Sequence, residues 1–287
     1  MKKIEVIALK SNVVLLIENN NALLIDCGYD KDDTQKIIDY IILNKYNLKV
    51  IISTHYHKDH IGGLNFLIEN FKFVKVYTSL ETKCVYMNHF FESFFYLNSK
   101  VNKRNSIKID IIKTELRFES FKIKRIDLFG HCIGNIGLII DNILYCPDLI
   151  INSDLKLPFV SDLETYYTNL EQVSRLRKIS HVVLSHSKKK IISYDSFIEM
   201  IKFTKSSLDK YNKRILKSIN SVTYEEFINL NIRTNIITGC FTNEFNIEQY
   251  EYTEYVLRNF LIYYMRTEKI KKVYKNGNYY LERSKND

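Results

Sequence analysis

The chain has 287 residues, of which 46% are hydrophobic and 26% charged, and its formal charge of +9 is spread without a block of like charge. This composition is typical of a globular protein, and it excludes an integral membrane protein, because no apolar run approaches the roughly 18 residues that cross a bilayer. With a polar N-terminus and no Cys-x-x-Cys pair, we expect a cytoplasmic protein with reduced thiols and no membrane association.

Short aliphatic and β-branched runs predict strands that are buried on at least one face. They cover residues 13–17, 22–26, 50–53, 74–77, 121–127, 137–140, 143–145 and 181–184. The three asparagines at 19–21 predict a hairpin turn between the first two strands, because Asn tolerates the left-handed backbone that such turns require.

Helical patterns alternate with these strands. Residues 34–44 and 64–70 predict short helices, and Ser161-x-x-Glu164 is a capping-box signature at the start of an amphipathic run. Strands and helices mixed in this order are typical of a layered α/β or α+β domain. The aromatic-rich stretch 79–105, which contains His89, predicts an inserted helical cap.

The pattern changes after about residue 205, where helices and a hairpin signal replace the strands. Thr223-x-x-Glu226 is a second capping box, an apolar helix face follows at 252–264, and Asn276-Gly277 predicts a hairpin. We therefore expect two units, residues 1–205 and a mainly helical unit at residues 206–287.

The most informative segment follows the predicted strand at 50–53 and reads His-x-His-x-Asp-His from His55 to His60. Three of the seven histidines of the chain fall within these six residues. Imidazoles and carboxylates are ligands that Zn²⁺ prefers, and ligands this close together on a strand-to-loop turn can face a common point. The string therefore predicts a metal site rather than a solvated polar loop.

Three further residues could complete the site. His131, Asp148 and His186 each lie just after a predicted strand, as the histidine string does. If these strands share one direction, all the candidate ligands converge at one rim of the fold. They would then supply enough ligands for a second metal.

These motifs resemble those of the metallo-β-lactamase superfamily of hydrolases, in order and approximate spacing, over roughly residues 1–200. The motifs are Asp26 in Ile-Asp-Cys-Gly, the string from His55 to His60, His131, Asp148 and His186. The resemblance implies an α+β fold, an αββα sandwich with a dinuclear site at one edge of its two sheets. The C-terminal segment is similar to the small winged-helix-like appendage of some superfamily members.

The resemblance also implies a role for each residue. One metal would have three ligands: His55, His57 and His131. The second would also have three: Asp59, His60 and His186. Asp148 would bridge the two, and Asp26 would orient ligands by hydrogen bonding. The ligand types suit Zn²⁺ best, and iron and manganese are also compatible with them.

Two positions depart from the usual family pattern. Pro147 stands where Gly commonly precedes the bridging aspartate, and Ser185-His186-Ser187 replaces a Gly-His-Gly turn. Neither departure removes a ligand, and both affect loops that shape the pocket.

The implied mechanism follows from two divalent ions about 3.5–4 Å apart, which can bridge a water molecule and lower its pKa toward neutrality. The resulting hydroxide would attack the substrate, with Asp148 as the bridging ligand and Asp59 also moving a proton to the leaving group. We expect hydrolysis of a small-molecule ester, thioester or lactone. Neither the substrate itself nor the oligomeric state follows from these motifs.

Two alternatives remain at this point. A phosphodiesterase or ribonuclease acting on nucleic acid would use basic residues near the C-terminus: Arg266, Lys269, Lys271, Lys272, Lys275 and Arg283. Packing of this segment over the active-site mouth or a dimer contact explains it more simply. The second alternative is a non-catalytic regulator that retains the fold and binds a ligand, and the complete ligand set argues against it.

Overall fold

The computed structural model describes residues 2–88, 107–150, 158–233 and 247–284. Within these residues, one six-stranded sheet has the order β1-β2-β3-β4-β5-β6. Its strands are β1 (Lys2–Ile7), β2 (Val13–Glu18), β3 (Asn21–Ile25), β4 (Asn47–Ile52), β5 (Lys75–Thr78) and β6 (Ile109–Ile111). Strands β3 to β6 run parallel to one another.

The second sheet has the order β12-β11-β10-β9-β8-β7 in the described part of the chain. Its strands are β7 (Glu115–Phe118), β8 (Phe121–Asp127), β9 (Ile136–Ile140), β10 (Ile143–Cys146), β11 (His181–Leu184) and β12 (Ile192–Ser193). Strand β9 is antiparallel to both β8 and β10, and β10 is parallel to β11. Strands β8, β10 and β11 therefore share one direction.

Helices cover the outer faces of the sheets. Those of the first half are α1 (Lys31–Leu43), α2 (Lys58–Ile61), α3 (Leu64–Asn70) and α4 (Leu80–Met87). Those that follow are α5 (Leu163–Ser174), α6 (Tyr194–Ser218), α7 (Tyr224–Arg233) and α8 (Ile247–Arg266). None of the described helices has the length and apolar character needed to cross a bilayer.

Side-chain alternation along the strands produces the layers. In β2, Leu16 packs against the other sheet, whereas Leu15 packs under α1 and α3. In β10, Tyr145 lies between the sheets, whereas Leu144 belongs to the cluster beneath α5 and α6. Because successive residues of a strand face opposite sides, strands this apolar must be covered on both faces. The arrangement is the αββα sandwich expected from the sequence.

The C-terminal helices share a core with the second sheet. Phe260 and Tyr264 of α8 are fully buried in the same cluster as Leu163 of α5 and Val182 of β11. The hairpin β13 (Ile270–Lys275) and β14 (Asn278–Arg283) follows α8, with Val222 bridging to Leu281. The division predicted at residue 205 falls inside helix α6 and stays a prediction, as does the winged-helix-like character of this segment.

Turn and cap chemistry explains most element ends. Asn19 and Asn20 form the β2–β3 turn with φ of 52° and 63°, and Asn276 and Gly277 form the β13–β14 turn, as predicted. The second capping box is also confirmed, since the Glu226 backbone N–H donates to Thr223 Oγ1 and the Glu226 carboxylate accepts from the Thr223 N–H.

The first capping box is wrong by one residue. Asp162, not Ser161, caps α5 by accepting from the Thr165 N–H at 2.8 Å. Ser161 Oγ instead donates to the Phe129 carbonyl. Helix α1 likewise begins at Lys31, earlier than predicted, because Asp30 supplies its N-cap. Of the predicted cap at 79–105, α4 is helical, and residues 89–105 with His89 lie outside the described residues.

Removing the Phe260 ring should destabilise the whole chain, because that ring fills a core shared with the second sheet. We expect Phe260→Ala to lower the free energy of unfolding by about 3–5 kcal/mol in a single transition. Met265 lies on the same helix and is 41% exposed. Met265→Ala should therefore change the free energy of unfolding by less than about 0.5 kcal/mol. Denaturant unfolding followed by far-ultraviolet circular dichroism measures both. Two separate transitions, with only one shifted in Phe260→Ala, would contradict a shared core.

Candidate metal centre

All seven predicted ligands come together where the two sheets meet. The string from His55 to His60 follows β4, and His131, Asp148 and His186 follow β8, β10 and β11. Each of these strands runs toward the same edge of its sheet, so their C-terminal loops lie side by side. The predicted convergence at one rim is therefore observed.

The first cluster of potential ligand atoms is fully enclosed. It contains His55, His57, His131 and Cys132, whose nitrogen and sulfur atoms lie within 4.8 Å of one another. His57 presents Nδ1, which is 3.0 Å from His131 Nε2. His55 Nε2 is buried without a hydrogen-bond partner in the described structure. A buried imidazole nitrogen left unsatisfied in this way fits a metal ligand.

The second cluster contains Asp59, His60, Asp148 and His186, again within 4.8 Å. Asp59 Oδ2 lies 3.0 Å from His186 Nε2 and 3.2 Å from His60 Nε2. The mixture of two imidazoles and two carboxylates is a donor set that suits a divalent cation.

The carboxylate of Asp148 lies between the two clusters. Its Oδ2 is 3.5 Å from His55 Nε2, 3.4 Å from His131 Nε2 and 3.3 Å from His60 Nε2. Its Oδ1 is 3.4 Å from His186 Nε2. One carboxylate thus contacts histidines of both clusters, which is the position that a bridging ligand requires.

The carboxylate of Asp26 fixes the histidine string by hydrogen bonds. Its buried carboxylate accepts from the Thr54 N–H at 2.8 Å, from Tyr145 OH at 2.7 Å and from His60 Nδ1 at 2.8 Å. The bond to Nδ1 fixes the ring so that Nε2 of His60 faces the second cluster. Asp26 adopts φ of 66°, a left-handed conformation that turns the chain out of β3.

Backbone carbonyls orient two more rings in the same way. His131 Nδ1 donates to the Phe159 carbonyl at 3.2 Å, and His186 Nδ1 donates to the Lys10 carbonyl at 3.2 Å. Both rings then direct Nε2 into the centre, which is the usual arrangement of metal-binding histidines.

The two departures from the family pattern have structural uses. Ser185 Oγ accepts from the Asp148 N–H and donates to Asp148 Oδ1, so it fixes the carboxylate at both ends. The Pro147 carbonyl accepts from Asn135 Nδ2 at 3.2 Å, which ties the loop after β10 to the loop after β8. The Ser185 side chain, which stands where the family pattern has Gly, therefore supports the central aspartate Asp148.

Electrostatics separates the histidines into two kinds. Burial lowers the pKa of His55 to about 4 and those of His57 and His131 to about 3. These imidazoles are neutral at pH 7, which is the form that binds metal. Burial also opposes charge on His60 and His186, but the nearby carboxylates raise the pKa of His186 to about 10 and that of His60 well above its usual value.

The carboxyl groups respond in the opposite direction. Burial disfavours ionised Asp148 and Asp59, yet the positive charge of His60 and His186 lowers the pKa of both carboxyls well below the usual value. Without metal, protons on the two histidines balance the two buried carboxylates. Cations at the same place would take over this role.

Helix α8 reaches the edge of the centre through an aromatic stack. The Phe159 ring lies 5.3 Å from that of His57 and 5.4 Å from that of His131. On its other side it stacks on Tyr255 at 4.8 Å and 12°, with Tyr252 at 5.2 Å. The C-terminal segment therefore supports the wall of the site.

Several supporting residues were not found from the sequence: Ser11, Asn12, Thr54, Tyr145, Phe159 and Ser185. Thr54 adjoins the histidine string and could have been found by its position. Tyr145 contacts Asp26 across 119 residues, and nothing local in the sequence marks that contact.

Several polar side chains beside the centre serve packing. Tyr166 is fully buried and donates to the Leu149 carbonyl, and Tyr167 OH donates to Asp209, so both pack within the fold. Cys146, close to Asp148 in sequence, is also buried, and burial raises the pKa of its thiol.

Comparison with known proteins identifies the family. A model of the Metallo-beta-lactamase superfamily matches residues 6–186, more than half of the chain. The chain belongs to the metallo-beta-lactamase superfamily. Its two clusters of candidate metal ligands lie within or at the end of the matched region.

Individual relatives show which members of the superfamily this chain is similar to. It is 28% identical over 181 residues to the hydroxyacylglutathione hydrolase of Vibrio parahaemolyticus, a match covering 62% of this chain and 63% of the relative. The matched region thus spans less than two thirds of that relative. The hydroxyacylglutathione hydrolase of Prochlorococcus marinus (strain MIT 9301) is 23% identical over 85% of this chain and 91% of its own.

The fold extends along almost the whole chain. A beta-lactamase domain protein from Burkholderia ambifaria superposes with a TM-score of 0.75 at 13% identity, covering 98% of this chain and 92% of the other. The two chains thus share one architecture along nearly their whole length at very low sequence identity.

The two clusters predict two metal equivalents per chain. We expect Asp148→Asn and His57→Ala to reduce bound metal after dialysis and to lower hydrolytic activity by several orders of magnitude, because each removes a ligand atom from a buried cluster. Elemental analysis of the purified protein measures the metal content. His181→Ala, at the exposed start of β11, is the control and should retain the full content. Full metal and full rate in either ligand variant would contradict the assignment.

Proposed function

We propose that this chain is a dinuclear metal-dependent hydrolase that cleaves a small-molecule acyl ester, with a thioester as the preferred substrate class. The observation that carries the proposal is the Asp148 carboxylate, which lies within 3.5 Å of imidazoles from both clusters. Two divalent metals at such a centre would activate a water molecule and polarise the carbonyl of an ester.

The side chains of the two clusters differ in exposure, which indicates the side from which substrate approaches. His55, His57 and His131 are enclosed, whereas the side chains of Asp59 and His186 are 22% and 26% exposed. Substrate therefore approaches from the side of the second cluster. Asp59 is placed there to bind metal and to pass a proton to the leaving group.

The preference for a thioester comes from the relatives. The two relatives named above are hydroxyacylglutathione hydrolases, a name that describes cleavage of an acyl thioester of glutathione. The family match, residues 6–186, covers the residues that form both clusters, and the second relative matches 85% of the chain. These similarities support a small-molecule substrate.

The charges near the C-terminus favour a small molecule over nucleic acid. Arg266 pairs with Asp162 at 3.1 Å and with Glu164 at 2.9 Å, and Lys275 pairs with Glu282. Lys272 lies 4.1 Å above the Tyr279 ring. Arg266 and Lys275 already have carboxylate partners within the chain, which weakens the case for a continuous phosphate-binding stripe.

A substrate panel tests the proposed reaction. With zinc-loaded protein, we expect turnover of an acyl thioester, weaker turnover of a lactone, and none of an activated phosphodiester above the Asp148→Asn background. The reason is that a water-activating centre suits an acyl carbon, and part of the predicted basic stripe in the described residues is already paired with carboxylates. Release of thiol and of nitrophenolate can be followed by absorbance. Phosphodiester turnover alone, lost in Asp148→Asn, would replace this proposal with a nucleic-acid substrate.

A pair of lysines at the open side indicates an anionic substrate. Lys58 Nζ and Lys10 Nζ lie 4.4 Å and 4.2 Å from the Tyr29 ring. Lys10 pairs with Asp30 at 2.9 Å, whereas no carboxylate of the described residues lies within 4.0 Å of Lys58 Nζ. Lys58 directly precedes Asp59, and we propose that its ammonium group binds a carboxylate of the substrate.

Neutralising Lys58 should affect anionic substrates selectively. We expect Lys58→Met to raise KM about two- to fivefold for a thioester that carries a carboxylate, the effect of one exposed ion pair. KM for the matching neutral thioester and kcat for both should stay unchanged. Lys31→Met is a matched control, because Lys31 also lies over an aromatic ring, that of Phe66 at 5.2 Å. Equal changes for the two substrates would contradict charge recognition by Lys58.

A further inference from the structure

The loop between β1 and β2 lies at the metal centre, although it supplies none of the seven candidate ligands. Strand β2 is antiparallel to β3, and β3 is parallel to β4. The residues just before β2 therefore lie at the edge of the sheet where β3 and β4 end. Lys10, Ser11 and Asn12 occupy this position, beside the loop that carries the string from His55 to His60.

Two residues of this loop contact the rings of the second cluster directly. The Lys10 carbonyl accepts from His186 Nδ1 at 3.2 Å, and Ser11 Oγ lies 3.3 Å from His60 Nε2. The Ser11 side chain is fully buried, so this contact is shielded from solvent. The loop thus reaches both histidines of the second cluster.

Asn12 is bonded to the backbone on both sides of His186. Its Nδ2 donates to the Leu184 carbonyl at 2.9 Å and to the Ser187 carbonyl at 2.8 Å. Its backbone N–H donates to the Ser185 carbonyl at 2.7 Å. One buried residue of the first sheet thus satisfies three carbonyls of the loop after β11, and these carbonyls flank a candidate ligand.

A buried hydrogen-bond network fixes Asn12 in turn. The Tyr145 hydroxyl, which donates to Asp26, also lies 2.9 Å from the Asn12 carbonyl. Asp26 orients His60 through Nδ1. The two histidines of the second cluster are therefore tied to one network, and buried networks with complete partners are rigid.

A general role in joining the two sheets explains only part of this arrangement. A buried amide needs partners wherever it lies, and any pair of carbonyls would satisfy it. This role does not explain why the accepting carbonyls flank His186, nor why the Lys10 carbonyl accepts from the ring of the same residue. The side chain of His186 is 26% exposed, whereas that of His60 is enclosed, so packing holds the His186 ring less firmly.

We propose that Asn12 is a positioning residue for the second metal, because it fixes the backbone on both sides of His186 while the first cluster does not depend on it. This inference rests on the proposed dinuclear hydrolase and extends it to the side from which substrate approaches. Hydrogen bonds behind metal-binding histidines typically change metal affinity about 10- to 100-fold.

Zinc titration of Asn12→Ala tests this role. We expect the affinity of the second cluster for Zn²⁺ to fall about 10- to 100-fold and that of the first cluster to change less than about twofold. The reason is that the variant loses both side-chain donors that hold the His186 loop. Competition with a chromogenic chelator measures both affinities without any substrate. His186→Ala, which removes a donor atom, identifies the equivalent that belongs to the second cluster.

Two further variants separate positioning from folding, which circular dichroism monitors in each. Asn12→Leu fills the same space without donating and should show the same selective loss. A loss confined to Asn12→Ala would assign the effect to a cavity and overturn the proposal.

Asn231→Ala is the matched control, because it removes another fully buried amide. Asn231 Nδ2 donates to the Phe227 carbonyl at 2.8 Å and to Ser218 Oγ at 3.0 Å, and the residue belongs to neither cluster. This variant should lower the denaturation midpoint and leave both zinc affinities unchanged.

Excess zinc gives a readout that a purely structural role would not move. Because the expected defect is one of affinity, raising free Zn²⁺ should return thioester turnover by Asn12→Ala toward the wild-type rate. Equal weakening of both clusters, or an unchanged second cluster, overturns the proposal. Thioester hydrolysis with unchanged zinc affinities in Asn12→Ala would leave the proposed function standing and remove this inference. A selective loss of zinc in Asn12→Ala, with no hydrolysis by the wild-type protein, would do the reverse.

Discussion

The arrangement of the metal centre depends on one carboxylate, that of Asp148, which is buried among imidazoles. Removing the charge of Asp148 from water is costly unless positive charge lies beside it, and four imidazoles surround the carboxylate within 3.5 Å. Protons on His60 and His186 supply that charge when no metal is bound, and divalent cations would supply more of it. The two sheets bring together loops that are far apart in sequence, and this single group connects them electrostatically.

The polar groups that surround the candidate ligands have hydrogen-bond partners of their own. Asp26 accepts hydrogen bonds from three different residues, and Ser185 holds the backbone and side chain of Asp148 together. Buried polar groups with complete partners make a site rigid, whereas a partly satisfied network is unstable. His55 Nε2 is one of the few buried polar atoms in the described structure without a hydrogen-bond partner, and at a cluster of nitrogen donors such an atom is where a cation fits.

Local patterns predicted most strands and two hairpin turns, because these features depend on neighbouring residues. The string from His55 to His60 was found in the same way, whereas His131, Asp148 and His186 were singled out by their place after strands and by the family resemblance, and the role of all seven as ligands stays a prediction. Strands β1, β6, β7 and β12 were missed: they are the edge strands of the two described sheets, and each has only one fully buried residue, so none forms a long apolar run. The cap of α5 was placed on Ser161, because the sequence does not show that this hydroxyl bonds to the loop after β8. The Tyr145–Asp26 contact and the position of Cys132 depend on tertiary structure, so no local pattern could reveal them.

The stack of Phe159 on Tyr255 also bears on the order in which the protein is completed during translation. The Phe159 carbonyl orients His131, while the ring of the same residue packs against helix α8. Tyr255 leaves the ribosome well after all the candidate ligands have been synthesised. A nascent chain can therefore hold every candidate ligand and still lack the ring that stacks on Phe159, the residue whose carbonyl orients His131. One wall of the metal centre is thus completed by a helix that contributes no candidate ligand to either cluster in the described structure.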